Sequence, residues 1–329
     1  MKNKIINRTR RQMMLQSGAV VGAALMRPCH PTSAQAQQPD ENPSTLGTPW
    51  MRRSLKDGMI GIKGIGRNEG WQAKFELIKR IGFEGVEPMT GSHFSARDMR
   101  DAAEKTGVVI EGTHGGYHWK TRHTDPNPQV RDHAQAMLEH SLRQTSELGA
   151  DTFLTVPGVG SDGTAKEVKQ RAFDALSAAI PTAKKLGVRI LIENVQNEFL
   201  YDPNGGDDQS VQPLVDFVDS FGSEWIGVQF DLGNHWKYGD MAAWIKALGS
   251  RIKKLDIKGY SKSQDKITGI TEGDIQWQPI RQALAEIGYQ GWLSAELSGG
   301  DATYLRGVRE QMDVAMQCDK TLGEVQGAS

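Results

Sequence analysis

The chain has 329 residues, with 39 lysines and arginines against 40 aspartates and glutamates, a formal net charge of −1, and 38% hydrophobic residues. That composition excludes a coiled coil, a collagen-like chain and a mainly disordered one, and its near-neutral balance is no footprint for nucleic acid. Two cysteines, Cys29 and Cys318, exclude a disulfide scaffold and a cysteine zinc cluster.

The first segment reads as an export signal. Lys2, Lys4, Arg8, Arg10 and Arg11 make a positive start, and Met13 to Met26 is a mostly apolar run. That run is too short for a membrane span of about 20 residues. Ala34-Gln35-Ala36 is a small-x-small cleavage site. Thr9-Arg10-Arg11-Gln12-Met13-Met14-Leu15 resembles the twin-arginine signal, with Met13 where Phe is commoner. Arg27-Pro28 before Cys29 are not the small residues of a lipobox. Residues 1–36 are therefore expected to direct export to a bacterial periplasm, with 37–49 as a polar linker and 50–329 as one folded domain. The signal holds six basic residues, Lys2, Lys4, Arg8, Arg10, Arg11 and Arg27, and no acidic ones, so its removal leaves 33 basic against 40 acidic residues, a charge of −7. Cys318 then stands alone. No other segment is long and apolar enough to cross a membrane.

The remainder alternates short apolar runs with amphipathic stretches. Met59–Ile65 is the first strand candidate, and Asn68 is expected to cap a helix on which Trp71, Phe75 and Ile78 share a face. Phe83–Glu87 reads as the second strand, with a helix from about Ser95 to Lys105 ending at Gly107. Val108–Ile110 opens the third strand, before a long helix over Pro128–Leu148. Thr152–Val156 and the helix Lys166–Leu186 follow, then Val188–Glu193 and a helix marked by Val211, Leu214, Val215 and Val218. Ile226–Phe230 precedes a helix over Met241–Leu248, and Ile252–Ile257 precedes one begun near Pro279. Trp292–Leu297 is the eighth strand, followed by a helix near Tyr304–Met316. Helical crossovers imply parallel strands, and eight units in roughly 290 residues suit a (β/α)8 TIM barrel better than a doubly wound sheet.

In such a barrel the site lies at the C-terminal strand ends. Four consecutive strand ends carry carboxylates: Glu193, Asp231, Asp256 and Glu296. A lone Glu there is usually a salt-bridge partner, and an Asp before Leu-Gly is often a turn residue. Four converging on one axis would repel one another unless a divalent cation neutralised them. Oxygen donors suit Mn2+ or Mg2+.

The chain resembles the xylose isomerase-like TIM barrels, the sugar phosphate isomerases and epimerases, over about residues 50 to 318. Carrying the resemblance are Phe83-Glu84-Gly85-Val86-Glu87, Leu191-Ile192-Glu193-Asn194, Phe230-Asp231-Leu232-Gly233-Asn234-His235, Lys254-Leu255-Asp256-Ile257-Lys258, Glu272-Gly273-Asp274-Ile275-Gln276-Trp277 and Gly291-Trp292-Leu293-Ser294-Ala295-Glu296. The resemblance implies one divalent metal held by Glu193, Asp231, a histidine position that falls on Asp256, and Glu296. Asp256 makes the site more acidic, which weakens zinc and favours Mn2+ or Mg2+. It also implies that Glu193 and Glu296 carry the proton chemistry beside a ketone whose enediolate the ion stabilises.

Around that centre, His114 is the leading candidate for substrate contact, with His118, on the Thr113–Trp119 loop beside Gly115-Gly116. His235 is a candidate ligand or substrate contact, Lys258 a hydrogen-bond donor, and Trp236 and Trp277 candidate cavity wall. Gly158–Gly163 matches G-x-G-x-x-G but follows the fourth strand, so it reads as a turn and helix cap. Asn197–Gln209 reads as either a lid or a surface insertion. Three functions follow: a metal-dependent isomerase or epimerase of a free, unphosphorylated sugar; a 3-keto-glycoside lyase or hydratase using the same enediolate; and a non-catalytic sugar- or metal-binding barrel. No nucleic acid or membrane partner is expected, and an oligomer is compatible with the sequence.

Overall fold

The computed structural model describes residues 49–91 and 95–327. The expected export signal and nearly all of the linker lie outside these residues.

The chain opens with β1 (Met51–Leu55), α1 (Trp71–Ile81), β2 (Gly85–Val86), β3 (Met89–Thr90), α2 (Ala96–Thr106), β4 (Val109–Ile110), β5 (Thr113–Gly115) and α3 (Pro128–Glu147). It continues through β6 (Thr152–Thr155), α4 (Ala165–Leu186), β7 (Arg189–Glu193), α5 (Gln212–Asp219), β8 (Ile226–Asp231), α6 (Met241–Leu248) and β9 (Ile252–Ile257). The hairpin β10 (Gly259–Ser261) and β11 (Lys266–Thr268), α7 (Trp277–Glu286), β12 (Gly291–Ala295), α8 (Ala302–Met316) and α9 (Leu322–Gln326) complete it.

β1, β12, β9, β8, β7, β6, β5 and β3 pair in that order, and each pair is parallel. Two staves are broken. β2 and β3 flank Pro88, which has no N–H for the ladder, and β4 and β5 flank Gly112. A Cβ at Gly112 would stand 2.5 Å from Thr152 Oγ1, so only glycine lets the neighbouring stave approach. The curl closes where the Glu87 N–H donates to the Leu55 carbonyl (2.9 Å) and the Asp57 N–H to the Glu87 carbonyl (3.1 Å). The result is a TIM barrel.

Period-two alternation divides the strands into two faces. Ile190, Ile192, Val228, Phe230, Leu255 and Ile257 are buried against the helical layer with Leu138, Leu176, Phe217 and Ile245. Each such side chain stabilises the fold by about 1.5–3 kcal/mol relative to exposure. The alternate residues, Gln229, Asp231, Lys254 and Asp256, are also buried, but they are polar and point along the barrel axis.

Two sequence expectations are corrected. The first strand is Met51–Leu55, not Met59–Ile65. Gly61 and Gly64 interrupt that apolar run, and Gly64 takes a φ of 83°, so it becomes a loop that docks by Ile60 on Gly300. Arg52 and Arg53 hide the true strand's pattern. One guanidinium lies 3.8 Å over the Trp292 ring, and the other pairs with Asp313 at 2.6 Å. Asn68 does not cap α1; Gly70, in the left-handed region at φ 66°, starts it. The helix α9, fastened by a Thr321–Glu324 capping box, was not anticipated.

Candidate active site

Glu193 ends β7, Asp231 ends β8, Asp256 lies in β9, and Glu296 follows β12. The fold brings these four together: one carboxylate oxygen from each lies within 4.8 Å of the others. Glu193, Asp231 and Asp256 are buried, while the Glu296 side chain is 35% exposed and opens the pit to solvent.

Two asparagines lock the first pair. The Asp231 N–H donates to Asn194 Oδ1 (2.7 Å), and Asn194 Nδ2 donates to the Asp231 carbonyl (3.0 Å). Asn234 Nδ2 donates to Glu193 Oε1 (3.1 Å). Asp231 Oδ1 accepts from the N–H groups of Gly233 (2.8 Å) and Asn234 (2.6 Å). Its other oxygen, Oδ2, is buried and faces the Lys258 ammonium at 3.0 Å.

Two lysines reach the same pit. Lys56, just past β1, donates to Glu87 Oε2 (2.9 Å) and Asp256 Oδ2 (3.1 Å), and Gln229 Nε2 also holds Asp256 at 2.9 Å. Lys258 Nζ lies 3.0 Å from Asp231 Oδ2 and 2.5 Å from Glu296 Oε2. Below them, Lys254 bridges Glu87 (2.6 Å) and Glu111 (2.5 Å). The barrel axis is thus a buried ionic column rather than an aliphatic plug.

The charges sort the two glutamates. Burial and then the charge of Glu296 push Glu193 well above the usual carboxylate range. Burial alone would raise Glu296 too, but the Lys258 and Lys56 ammoniums outweigh it and hold that carboxyl at about 2. Burial takes Asp256 up to about 8 against the pull of Lys56.

The all-oxygen donor set fits a hard ion of the Mg2+ or Mn2+ kind.

His114 lies at the pit's edge, 3.9 Å from Glu87, with a buried Nδ1 that makes no hydrogen bond. His118 is buried, and its Nδ1 accepts from the Val156 N–H at 3.4 Å. Expected as ligand or substrate contact, His235 falls outside the four-carboxylate cluster. Its Nε2 meets the Val195 carbonyl at 2.8 Å, and its ring packs against Tyr201 (4.5 Å), Tyr238 and Trp244. Trp236 is half-buried, donates to Asp274 Oδ1 (2.6 Å) and has the Lys262 ammonium 4.8 Å over its ring. Trp277 donates to the Ile270 carbonyl (3.1 Å).

The two ambiguous loops are also placed. Phe199 is buried and the Tyr201 ring lies tilted against His235, so residues 197–201 pack behind Glu193, while residues 202–208 are mostly exposed, as in a surface insertion. In the Gly158–Gly163 motif, Asp162 is gripped by Arg122 (2.7 Å) and Thr124 (2.5 Å), and Thr164 starts α4 with a capping box. Those contacts make it a structural turn.

The sequence model of the xylose isomerase-like TIM barrel matches residues 75–318. The chain belongs to this family. An uncharacterised protein of Methanocaldococcus jannaschii is 25% identical over 52% of this chain, a match that spans 58% of that protein's length. A protein of Escherichia coli (strain K12) provisionally named as an L-ribulose-5-phosphate 3-epimerase is 23% identical over 74% of this chain and 90% of its own. Among solved structures, a D-psicose 3-epimerase superposes with a TM-score of 0.64 at 14% identity, over 81% of this chain and 99% of that one. A 3-keto-D-glucoside 4-epimerase from E. coli gives 0.64 at 14%, over 80% and 99%.

Within this xylose isomerase-like barrel, the added acidity expected from Asp256 is offset, because Lys56 places an ammonium 3.1 Å away. Sequence reasoning missed Lys56, Glu87, Glu111, Gln229 and Lys254. The period of two would have found two of them: Gln229 precedes Asp231 and Lys254 precedes Asp256 by two residues, on the same face. Lys56 was lost with the misplaced first strand.

Proposed function

We propose that this protein is a divalent-metal-dependent isomerase or epimerase of an unphosphorylated keto-sugar. The observation that carries the reading is the pit itself, where two glutamates from separate staves share four converging carboxylates with an all-oxygen face. Glu193, Asp231, Asp256 and Glu296 would hold the ion. When bound, the ion supplies Lewis acidity to a ketone and its neighbouring hydroxyl, easing loss of the intervening proton. Glu193 and Glu296, which reach the pit from separate staves, are suited one to take that proton and the other to return one. Return to the other face of the same carbon epimerises; return to the neighbouring carbon isomerises. His114 would contact the sugar at the edge, and Trp236 would wall the mouth. The unphosphorylated substrate is supported by the export signal expected over residues 1–36, because a chain carried to the periplasm would meet free sugars and glycosides.

A 3-keto-glycoside lyase or hydratase would use the same proton loss and then expel the group at C1. Favouring it as the second reading is Trp119, 53% exposed beside His118 on the loop that carries His114, an apolar surface for an aglycone.

The test is incubation with Mn2+ and a panel of free ketoses and 3-keto-glycosides, with products followed by NMR. An epimer or isomer of a ketose supports the first reading. Free aglycone selects the second. A ligand that binds and never turns over leaves a binding barrel and refutes both.

We further propose that residues 1–36 carry the chain to the periplasm by the twin-arginine route. The paired Arg10-Arg11 and the Ala34-Gln35-Ala36 cleavage site support this.

A further inference from the structure

Lys258 stands two residues beyond Asp256, on the same side of the stave and nearer the mouth. It is 5% exposed. Its ammonium lies 3.0 Å from Asp231 Oδ2 and 2.5 Å from Glu296 Oε2. Asp231 Oδ1 already accepts two backbone N–H groups, so Oδ2 is the oxygen Asp231 has left for a cation. Lys258 is on it.

Lys56 differs. It keeps a partner outside the four-carboxylate pit, Glu87, at 2.9 Å. The carboxylates that Lys258 pairs with, among the described residues, are Asp231 and Glu296, both in the pit. The chain also makes way for it: a Cβ on Gly233 would stand 2.6 Å from Lys258 Cγ. The partly exposed Glu296 leaves a path outward.

We propose that Lys258 is a resident counter-cation of the pit, and that a divalent ion enters by exchange, taking Asp231 and Glu296 while the ammonium swings toward the mouth. The inference rests on the metal-centre reading above. A second positive charge cannot settle beside the same two oxygens without strong repulsion from the first. Lys258 therefore stabilises the metal-free fold and weakens metal affinity at once, and removing it should separate the two effects.

The experiment uses the full folded domain without substrate. Mn2+ affinity is measured by calorimetry for wild type, Lys258→Met and Lys258→Arg, and thermal midpoints are taken in EDTA and in saturating Mn2+. Lys258→Met should bind Mn2+ at least ten-fold tighter, with a lower midpoint in EDTA and a larger gain on Mn2+ addition. Lys258→Arg, which keeps the charge, should stay near wild type. The wild type gives a readout independent of any variant: an amine-reactive label mapped by mass spectrometry should modify Lys258 faster with Mn2+ than with EDTA. Equal affinity in wild type and Lys258→Met, or equal labelling in both conditions, overturns the exchange and leaves the metal centre standing. No Mn2+ binding by any form overturns both.

Discussion

At the scale of single residues, the pit assigns different tasks to chemically similar groups. Glu193→Gln and Glu296→Gln should each lower turnover by about 10²–10⁴-fold, the usual share of a positioned acid or base. Steady-state rates on the substrate found by the NMR screen check this, and full activity in either variant removes its role. Lys56 carries a structural prediction. Lys56→Met strands Asp256 and Glu87 without their shared ammonium and should cost about 3–5 kcal/mol. Urea unfolding measures it, and the pair Lys56→Met with Glu87→Gln should recover part of the loss. The four carboxylates were legible in sequence because each lies inside or directly after an apolar run. Their partners were not. Nothing in one sequence says that Lys56 meets Glu87 and Asp256, since that contact spans the barrel's closure.

At the scale of elements, the strand–helix alternation was legible wherever a strand stayed continuous, as in β6 to β9. It failed where a strand begins with arginines, as β1 does, and it found only the first halves, β2 and β4, of the staves broken at Pro88 and Gly112. Among the described residues, the loops after the strands carry three buried histidines. Burial lowers His118 to about 3, and His123 and His235 to about 4. Each is neutral in the fold and titrates near 6.5 when unfolded. Their stability contribution is whole above about pH 6.5 and is lost as the pH falls toward the folded values. Replacing His235 with Gln should flatten part of that loss, of order 3 kcal/mol. Chemical denaturation between pH 7 and 4 tests it, and an unchanged pH profile in the variant contradicts it. Thr164→Ala should cost about 1 kcal/mol by removing the α4 cap.

At the scale of the molecule, the barrel class followed from counting units, whereas the chemistry required knowing which side chains share its axis. Export has its own check. Lysine substitution of Arg10 and Arg11 should leave the chain in the cytoplasm, and the wild-type periplasmic product should begin at Gln37. The central claim, proton loss beside a ketone at this pit, is reached most directly by one measurement. The protein, Mn2+ and its ligand are held in deuterated water, and deuterium is followed by NMR at the carbon next to the ketone. The account predicts wash-in by the wild type that stops with EDTA and in Glu296→Gln. A bound keto-sugar that acquires no deuterium, with Mn2+ present, would contradict it.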